Sequence, residues 1–184
     1  MNAPVEGLVG ARIQRKEDYR FLTGAGQYTD DLALPGQSYA AFVRSPHAHA
    51  KIRRIDASKA KALKGVLAVY TGEDVAAAKL GGLPCGWLIT DVNGQPMKEP
   101  PHPVLAQGKA RHVGDQVAVV IAETQDLARD AAELVEVDYE VLPAVVDAVK
   151  ARAKGAPVLH DIAPDNTCYV WSIGDKAAVD AAFA

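Results

Sequence analysis

Residues 112–143 read HVGDQVAVVIAETQDLARDAAELVEVDYEVLP, and the fold class follows from the order of patterns within them. The continuous apolar run at 117–122 is rich in β-branched residues and is typical of a strand covered on both faces. Thr124 stands at an N-cap position, and apolar residues then recur at helical spacing. Strict alternation over 136–141 predicts a half-solvated strand that Pro143 ends.

This strand–helix–strand unit also predicts its own pairing and core. The helix offers enough chain for a crossover, so the two strands are expected to lie parallel in one sheet, with antiparallel pairing through neighbouring strands as the alternative. The large apolar side chains of the unit are expected to be buried together, namely Val119, Ile121, Leu127, Leu134, Val137 and Tyr139.

The chain before this unit alternates short strand and helix patterns. The patterns predict strands at 38–43, 51–56 and 66–70, and helices at 58–63 and 75–79. Thr71-Gly72-Glu73-Asp74 resembles a capping box that begins the second helix, and Pro35-Gly36 fits a type II turn. This order predicts an α+β (mixed α/β) domain around a central strand–helix–strand unit.

A long segment without periodicity, residues 81–103, lies between these elements and the central unit. It holds five prolines and four glycines. A loop of this length inside a compact domain is functional, forms an interface or is disordered. All three alternatives remain open for this segment.

The overall composition excludes several classes of protein. The chain has 184 residues, a net charge of −3, 49% hydrophobic residues and 23% charged residues, which is the ordinary balance of a globular protein. A net negative charge argues against a nucleic-acid-binding protein, and no apolar run is long enough to span a membrane. The first residues lack the features of a secretory signal, and Cys85 and Cys168 form no CxxC pair, so a reduced, cytoplasmic protein is expected.

Three patterns invite a functional interpretation, and each has a structural alternative that is preferred. Gly24-Ala25-Gly26 lacks the third glycine and the following helix of a phosphate-binding loop, so a structural turn is expected. His47 and His49 would share one face of a strand, but no further ligand stands at metal-binding spacing. Cys85 in Pro-Cys-Gly is interpreted as an exposed thiol. No catalytic, cofactor-binding or metal-binding residue is assigned.

The motifs and their order resemble the N-terminal, α/β-hammerhead part of the large, molybdopterin-binding subunit of the xanthine dehydrogenase and aldehyde oxidase family. The bacterial three-subunit, carbon monoxide dehydrogenase-like branch is the most similar. The motifs include RKED at 15–18, GAGQYTDD at 24–31, RSPHAHA at 44–50, TGED at 71–74, VGDQVA at 113–118 and VEVDY at 135–139.

The resemblance implies an organisation in three parts. Residues 1–20 form an extended N-terminal segment, 21–147 form the α/β-hammerhead domain, and 148–184 form a linker and the truncated start of the molybdenum-cofactor-binding domain. An apolar helical face begins near residue 177 and stops without a closing residue, which indicates the front part of a longer protein. A stand-alone hammerhead scaffold or binding module without catalysis is the alternative.

The resemblance also implies the activity and partners of the complete enzyme. The family hydroxylates aldehydes, purines or other heterocycles with oxygen from water, or oxidises carbon monoxide. The molybdopterin-type molybdenum cofactor belongs to the complete subunit, and the iron–sulfur clusters and FAD are expected on partner subunits. The family's catalytic and cofactor-binding residues fall after Ala184, so none is carried over to this chain.

One surface is predicted to contact a partner, the iron–sulfur subunit. Arg20, Phe21 and Tyr28 are residue types enriched at interfaces, and they flank a glycine-rich turn that permits close approach. These three residues form the possible subunit interface.

Overall fold

A computed structural model describes residues 10 and 12–184, which divide into two units, one ending at Gln37 and the other spanning Ser38–Ala184. The strands are β1 (Tyr39–Arg44), β2 (Ala50–Asp56), β3 (Val66–Thr71), β4 (Lys109–Ala110), β5 (Gln116–Ala122) and β6 (Glu136–Val141). The helices are α1 (Asp18–Leu22), α2 (Ser58–Lys61), α3 (Gly72–Ala77), α4 (Gln125–Glu133), α5 (Ala148–Ala151) and α6 (Lys176–Phe183). The predicted mixture of helices and strands is confirmed. No helix of the described residues is long and apolar enough to cross a membrane.

Residues 18–20, at the end of the segment predicted to be extended, belong instead to a short helix. Helix α1 begins at Asp18, whose carboxylate accepts hydrogen bonds from the backbone amide of Arg15 at 3.2 Å and from its Nε at 2.9 Å. These two bonds close the turn that leads into the helix, which the charge pattern alone did not reveal. Residues 1–9 and 11 of the predicted segment lie outside the described residues.

The strands of the second unit form two antiparallel sheets, each of three strands. Sheet A has the order β1-β5-β3, and sheet B has the order β4-β2-β6. The expectation that the two strands flanking α4 lie parallel in one sheet is therefore wrong. Strand β5 already pairs on both edges with β1 and β3, so no edge remains for β6, which pairs with β2 instead.

The hydrophobic core lies where α2 and α4 cover one face of sheet A. Its buried members are Ala60, Val69, Ala118, Val120, Ala131 and Val135. Ile55 and Val137 of sheet B pack against this cluster. Small residues dominate the contact because a helix approaches a sheet closely only where side chains are short.

The predicted set of core residues is correct only in part. Val137 packs at the edge of the core, but Val119 and Ile121 point to the opposite face of sheet A, which is only partly covered. Leu134 is 37% exposed because it follows the last residue of α4 and does not continue the buried face of that helix. The expectation that β5 is covered on both faces is therefore correct only in part, since Val119 and Ile121 are half-buried.

Local capping and turn predictions are confirmed at three places. The hydroxyl of Thr124 accepts a hydrogen bond from the backbone amide of Leu127 at 3.2 Å, which begins α4. Thr71 and Asp74 form the capping box of α3. Gly36 has a φ of 77°, as a type II turn requires.

The proline-rich segment 81–103 is ordered by backbone hydrogen bonds and contains no helix or extended strand. Thr90 and Pro96 form an isolated bridge. The amides of Val92 and Lys98 donate to Val170 O and Cys168 O, each at 2.9 Å, so a distant part of the chain holds this segment in place.

Candidate functional site

The three residues predicted to form a subunit interface lie together in the first unit. The rings of Phe21 and Tyr28 stack with centroids 5.1 Å apart at an interplanar angle of 18°. The guanidinium of Arg20 lies 5.3 Å from the centroid of the Phe21 ring, within the range of a cation–π contact. Tyr28 remains 65% exposed, so the stack forms an amphipathic surface, which we call the aromatic platform (Arg20, Phe21 and Tyr28).

The glycine-rich turn gives the platform its shape. A Cβ atom on Gly26 would lie 2.1 Å from Cδ1 of Phe21, so the ring can occupy its position only because this residue has no side chain. Gly24 has a φ of 73°, and the amide of Ala25 donates to Arg20 O at 2.9 Å. The turn follows α1 and no strand precedes it, so the described residues do not form the strand–turn–helix of a phosphate loop.

The two histidines of the sequence Arg44–Ala50 have different environments. Nδ1 of His49 lies 2.8 Å from Pro143 O and donates to it, which ties the start of β2 to the chain after β6. The ring of His47 packs edge-on against Tyr139 at 5.1 Å. Within residues 10 and 12–184, no group of three or more His, Cys, Asp or Glu side chains is placed to hold a metal ion.

A small polar pocket lies between the proline-rich segment and the chain before β5. It has a volume of about 260 Å³, and its lining includes His102, Arg111, Asp115 and His160. The Arg111 side chain donates to Leu159 O at 3.2 Å, so its charge is held by the fold. Burial lowers the pKa of His160 below its usual 6.5, and the positive charge of Arg111 adds to this shift.

This polar pocket does not fit a molybdenum cofactor. Such a cofactor is large and anionic, and it needs a deep pocket with many converging donors. The pocket volume of about 260 Å³ is small for it, and Nε and Nη1 of Arg111 donate to the backbone carbonyls of Leu159 and Lys109. This pocket therefore assigns no cofactor-binding side chain.

A second, larger depression is apolar, and the sequence did not predict it. It has a volume of about 930 Å³ and lies on the face of sheet A opposite the core. We call it the apolar groove. Its lining includes Ala40, Phe42, Tyr70, Val75, Leu80, Leu83, Val104, Val119 and Ile121. The continuous apolar run of β5 is the sequence signal that could have predicted this groove, because it places apolar side chains on both faces of the strand.

The two cysteines are free thiols. Cys85 is exposed, as expected, and its Sγ donates to Trp87 O at 3.3 Å. Cys168 is half-buried. The backbone amide of Cys85 donates to Oε1 of Glu99 at 3.2 Å, and no disulfide joins the two cysteines.

Comparison with known families and curated proteins gives matches over most of this chain. Residues 23–143 match the family described as "Aldehyde oxidase and xanthine dehydrogenase, a/b hammerhead domain". The carbon monoxide dehydrogenase large chain of Afipia carboxidovorans is 43% identical over 96% of this chain and 22% of its own length. The nicotine 6-hydroxylase large subunit of Paenarthrobacter nicotinovorans is 38% identical over 86% of this chain and 19% of its own length.

Solved structures show the same similarity. A reconstituted carbon monoxide dehydrogenase from Oligotropha carboxidovorans superposes with a TM-score of 0.74 at 41% identity, covering 95% of this chain and 22% of the other. Quinoline 2-oxidoreductase from Pseudomonas putida 86 gives a TM-score of 0.67 at 43% identity, covering 81% of this chain and 18% of the other. The chain thus spans less than a quarter of the length of the curated relatives that it matches.

Proposed function

Because this chain belongs to the family of the aldehyde oxidase and xanthine dehydrogenase α/β-hammerhead domain, we propose that it is the N-terminal structural domain of a molybdenum hydroxylase large subunit. The observation that carries the proposal is the difference in coverage. The similarity includes 96% of this chain but only 22% of the carbon monoxide dehydrogenase large chain. A domain embedded in a longer polypeptide gives this difference.

In this proposal the chemistry belongs to the remaining part of the large subunit. A molybdopterin-type molybdenum cofactor bound there would supply the redox chemistry, together with iron–sulfur clusters and FAD on partner subunits. The small polar pocket does not fit the cofactor, and in this proposal the hammerhead domain contributes by holding the cofactor-binding part and its neighbours in position. The two free thiols support a reducing, cytoplasmic location.

We propose that the complete enzyme belongs to the carbon monoxide dehydrogenase-like branch of the family and shares the substrate of that branch. The support is the identity of 43% to one large chain of this name and of 39% to another, from Hydrogenophaga pseudoflava. Oxidation of aldehydes, purines or other heterocycles is the broader expectation for the family.

The proposed function is tested with a chimeric large chain. The matched segment of the Afipia carboxidovorans large chain is replaced by this chain, and the isolated 184-residue chain is prepared in parallel. We expect the chimera to contain molybdenum by elemental analysis, and the isolated chain to contain none and to reduce no dye with carbon monoxide, aldehydes or purines. Stoichiometric molybdenum in the isolated chain would refute the proposal. A folded chimera without molybdenum would favour the stand-alone module.

We propose further that the aromatic platform contacts the iron–sulfur subunit. The support is its half-exposed stack of two rings with a guanidinium alongside, the kind of cluster that dominates binding energy at interfaces. In the assembled chimera, Tyr28→Ser is expected to weaken retention of the iron–sulfur subunit about tenfold. Tyr19→Ser is the matched control, because Tyr19 is 79% exposed and lies outside the stack. Equal effects of both variants would contradict the proposal.

A further inference from the structure

The apolar groove is built on a row of large side chains that crosses sheet A. Val119 of β5 is in register with Phe42 of β1 on one side and with Tyr70 of β3 on the other. Phe42 is 45% exposed and Tyr70 is 49% exposed. Leu80 and Leu83, which are 60% and 56% exposed, extend the same surface along its rim. A contiguous exposed apolar surface of this kind marks an interaction site.

The chemistry of the groove selects an apolar occupant. Asp74 is the one charged residue of its lining, and Gln116 is the one amide. The Asp74 carboxylate already accepts hydrogen bonds from the Thr71 amide at 2.7 Å and from the Thr71 hydroxyl at 2.9 Å, so it serves α3. Permanent interfaces are more apolar than transient ones, and this lining fits a permanent interface.

The concave shape of the groove excludes a two-fold dimer in which the grooves of two copies face each other. A two-fold dimer places the same patch of both copies together, and two concave patches of this kind enclose a void. Packed interfaces have few voids larger than a water molecule, so the occupant must be convex. A helix or a loop that carries large apolar side chains has this shape.

The proposed function supplies such an occupant. In the curated relatives this chain corresponds to 22–24% of a single polypeptide, so more than three quarters of each large chain is available as a covalently linked neighbour. We propose that an apolar segment from that remaining part of the same large chain fills the groove. The proposal rests on the proposed function, and it names the surface through which the hammerhead domain holds the cofactor-binding part.

Hydroxyl-radical footprinting of the isolated chain and of the chimeric large chain tests the proposal. We expect oxidation of Phe42 and Tyr70 to fall about fivefold in the chimera, because their exposed area becomes buried. Leu67 lies on the same edge strand as Tyr70, is 57% exposed and does not line the groove, so its oxidation is the internal control. Unchanged oxidation of Phe42 and Tyr70 in a chimera that holds molybdenum would overturn this proposal and leave the proposed function intact.

A second measurement on the isolated chain keeps the proposal testable if the chimera does not assemble. With the groove empty, Tyr70→Ser and Leu67→Ser are each expected to lower the Tm by less than about 3 °C. A loss above about 8 °C for Tyr70→Ser alone would show that this chain already fills its own groove, which overturns the proposal. A dimer of the isolated chain in sedimentation that Tyr70→Ser dissociates would assign the groove to a second copy and also overturn it.

Discussion

The two faces of sheet A are made by the same three strands but have opposite characters. On the covered face, Ala118 and Val120 of β5 are fully buried against α4. On the open face, Val119 stands between two half-exposed aromatic side chains. The covered face thus carries alanine and valine side chains from β5, whereas the open face carries the half-exposed rings of Phe42 and Tyr70. These two rings remain available for a neighbour.

The sharpest test of this difference places one charge on each face. Val120→Asp is expected to cost about 3–5 kcal/mol, because an unpaired carboxylate would be buried in the core. Val119→Asp is the matched variant, and it is expected to cost no more than about 1–2 kcal/mol in the isolated chain, because water reaches the carboxylate. Urea denaturation followed by circular dichroism measures both. Equal losses would mean that the open face is already packed.

Helix α3, whose residues Val75 and Ala77 line the apolar groove, begins at a close backbone contact of Gly72. A Cβ atom there would lie 2.1 Å from the carbonyl oxygen of Ala106, so one backbone segment must move. Gly72→Ala is expected to lower the free energy of unfolding by about 1–3 kcal/mol. Gly81→Ala is the control, since no atom lies within 4 Å of its added Cβ. A neutral Gly72→Ala variant in thermal denaturation would show that the contact between Gly72 and Ala106 is loose.

The covered face depends on α4, which Thr124 caps. Removing the hydroxyl in Thr124→Ala is expected to cost about 1 kcal/mol, because the amide of Leu127 loses its acceptor. Thr124→Ser keeps the acceptor and should retain most of the stability. The comparison is made by urea denaturation, and equal stability of the alanine and serine variants would contradict the role of the cap.

The smallest expected effect concerns the cap of α3, on the open face, and it depends on pH. The backbone amide and hydroxyl of Thr71 donate to Asp74 and hold the pKa of its carboxyl below the usual 3.8. Since the unfolded chain takes up the proton first, the stabilisation is present above about pH 4 and is lost as the pH falls through the folded-state pKa.

Asp74→Ala should therefore lose less stability at pH 7 than Thr124→Ala, because the Asp74 carboxylate is exposed and solvent screens it. The difference between Asp74→Ala and the wild type should shrink in acid. Glu73→Ala, which removes a charge from the same helical turn, is the control. A difference that stays constant from pH 7 to about pH 3 would contradict the role of this carboxylate.

Local structure was largely predictable from the sequence, because its causes are local. The cap at Thr124, the capping box at Thr71 and the positive φ at Gly36 each follow from a side chain acting within a few residues. The resemblance to the hammerhead family was confirmed by the match over residues 23–143.

Pairing and burial were not predictable in the same way. Both faces of β5 are apolar, so the alternation that usually identifies the buried face was absent, and Val119 and Ile121 were wrongly assigned to the core. The parallel pairing was wrong because β1 and β3 occupy both edges of β5, and those partners lie far away in the sequence. The aromatic platform stays a prediction as a subunit contact, although its three residues do lie together.

The hydrogen bonds between the proline-rich segment and the chain after Asn166 have a consequence for the order of folding. Val92 and Lys98 find their acceptors on Val170 and Cys168, so loop closure spans about seventy residues before either bond forms. During synthesis, the two sheets can assemble as soon as β6 has left the ribosome, while the proline-rich segment still lacks its partners. This segment therefore keeps its conformational freedom after the two sheets have formed, and a protease that acts on the nascent chain at that stage should cut there.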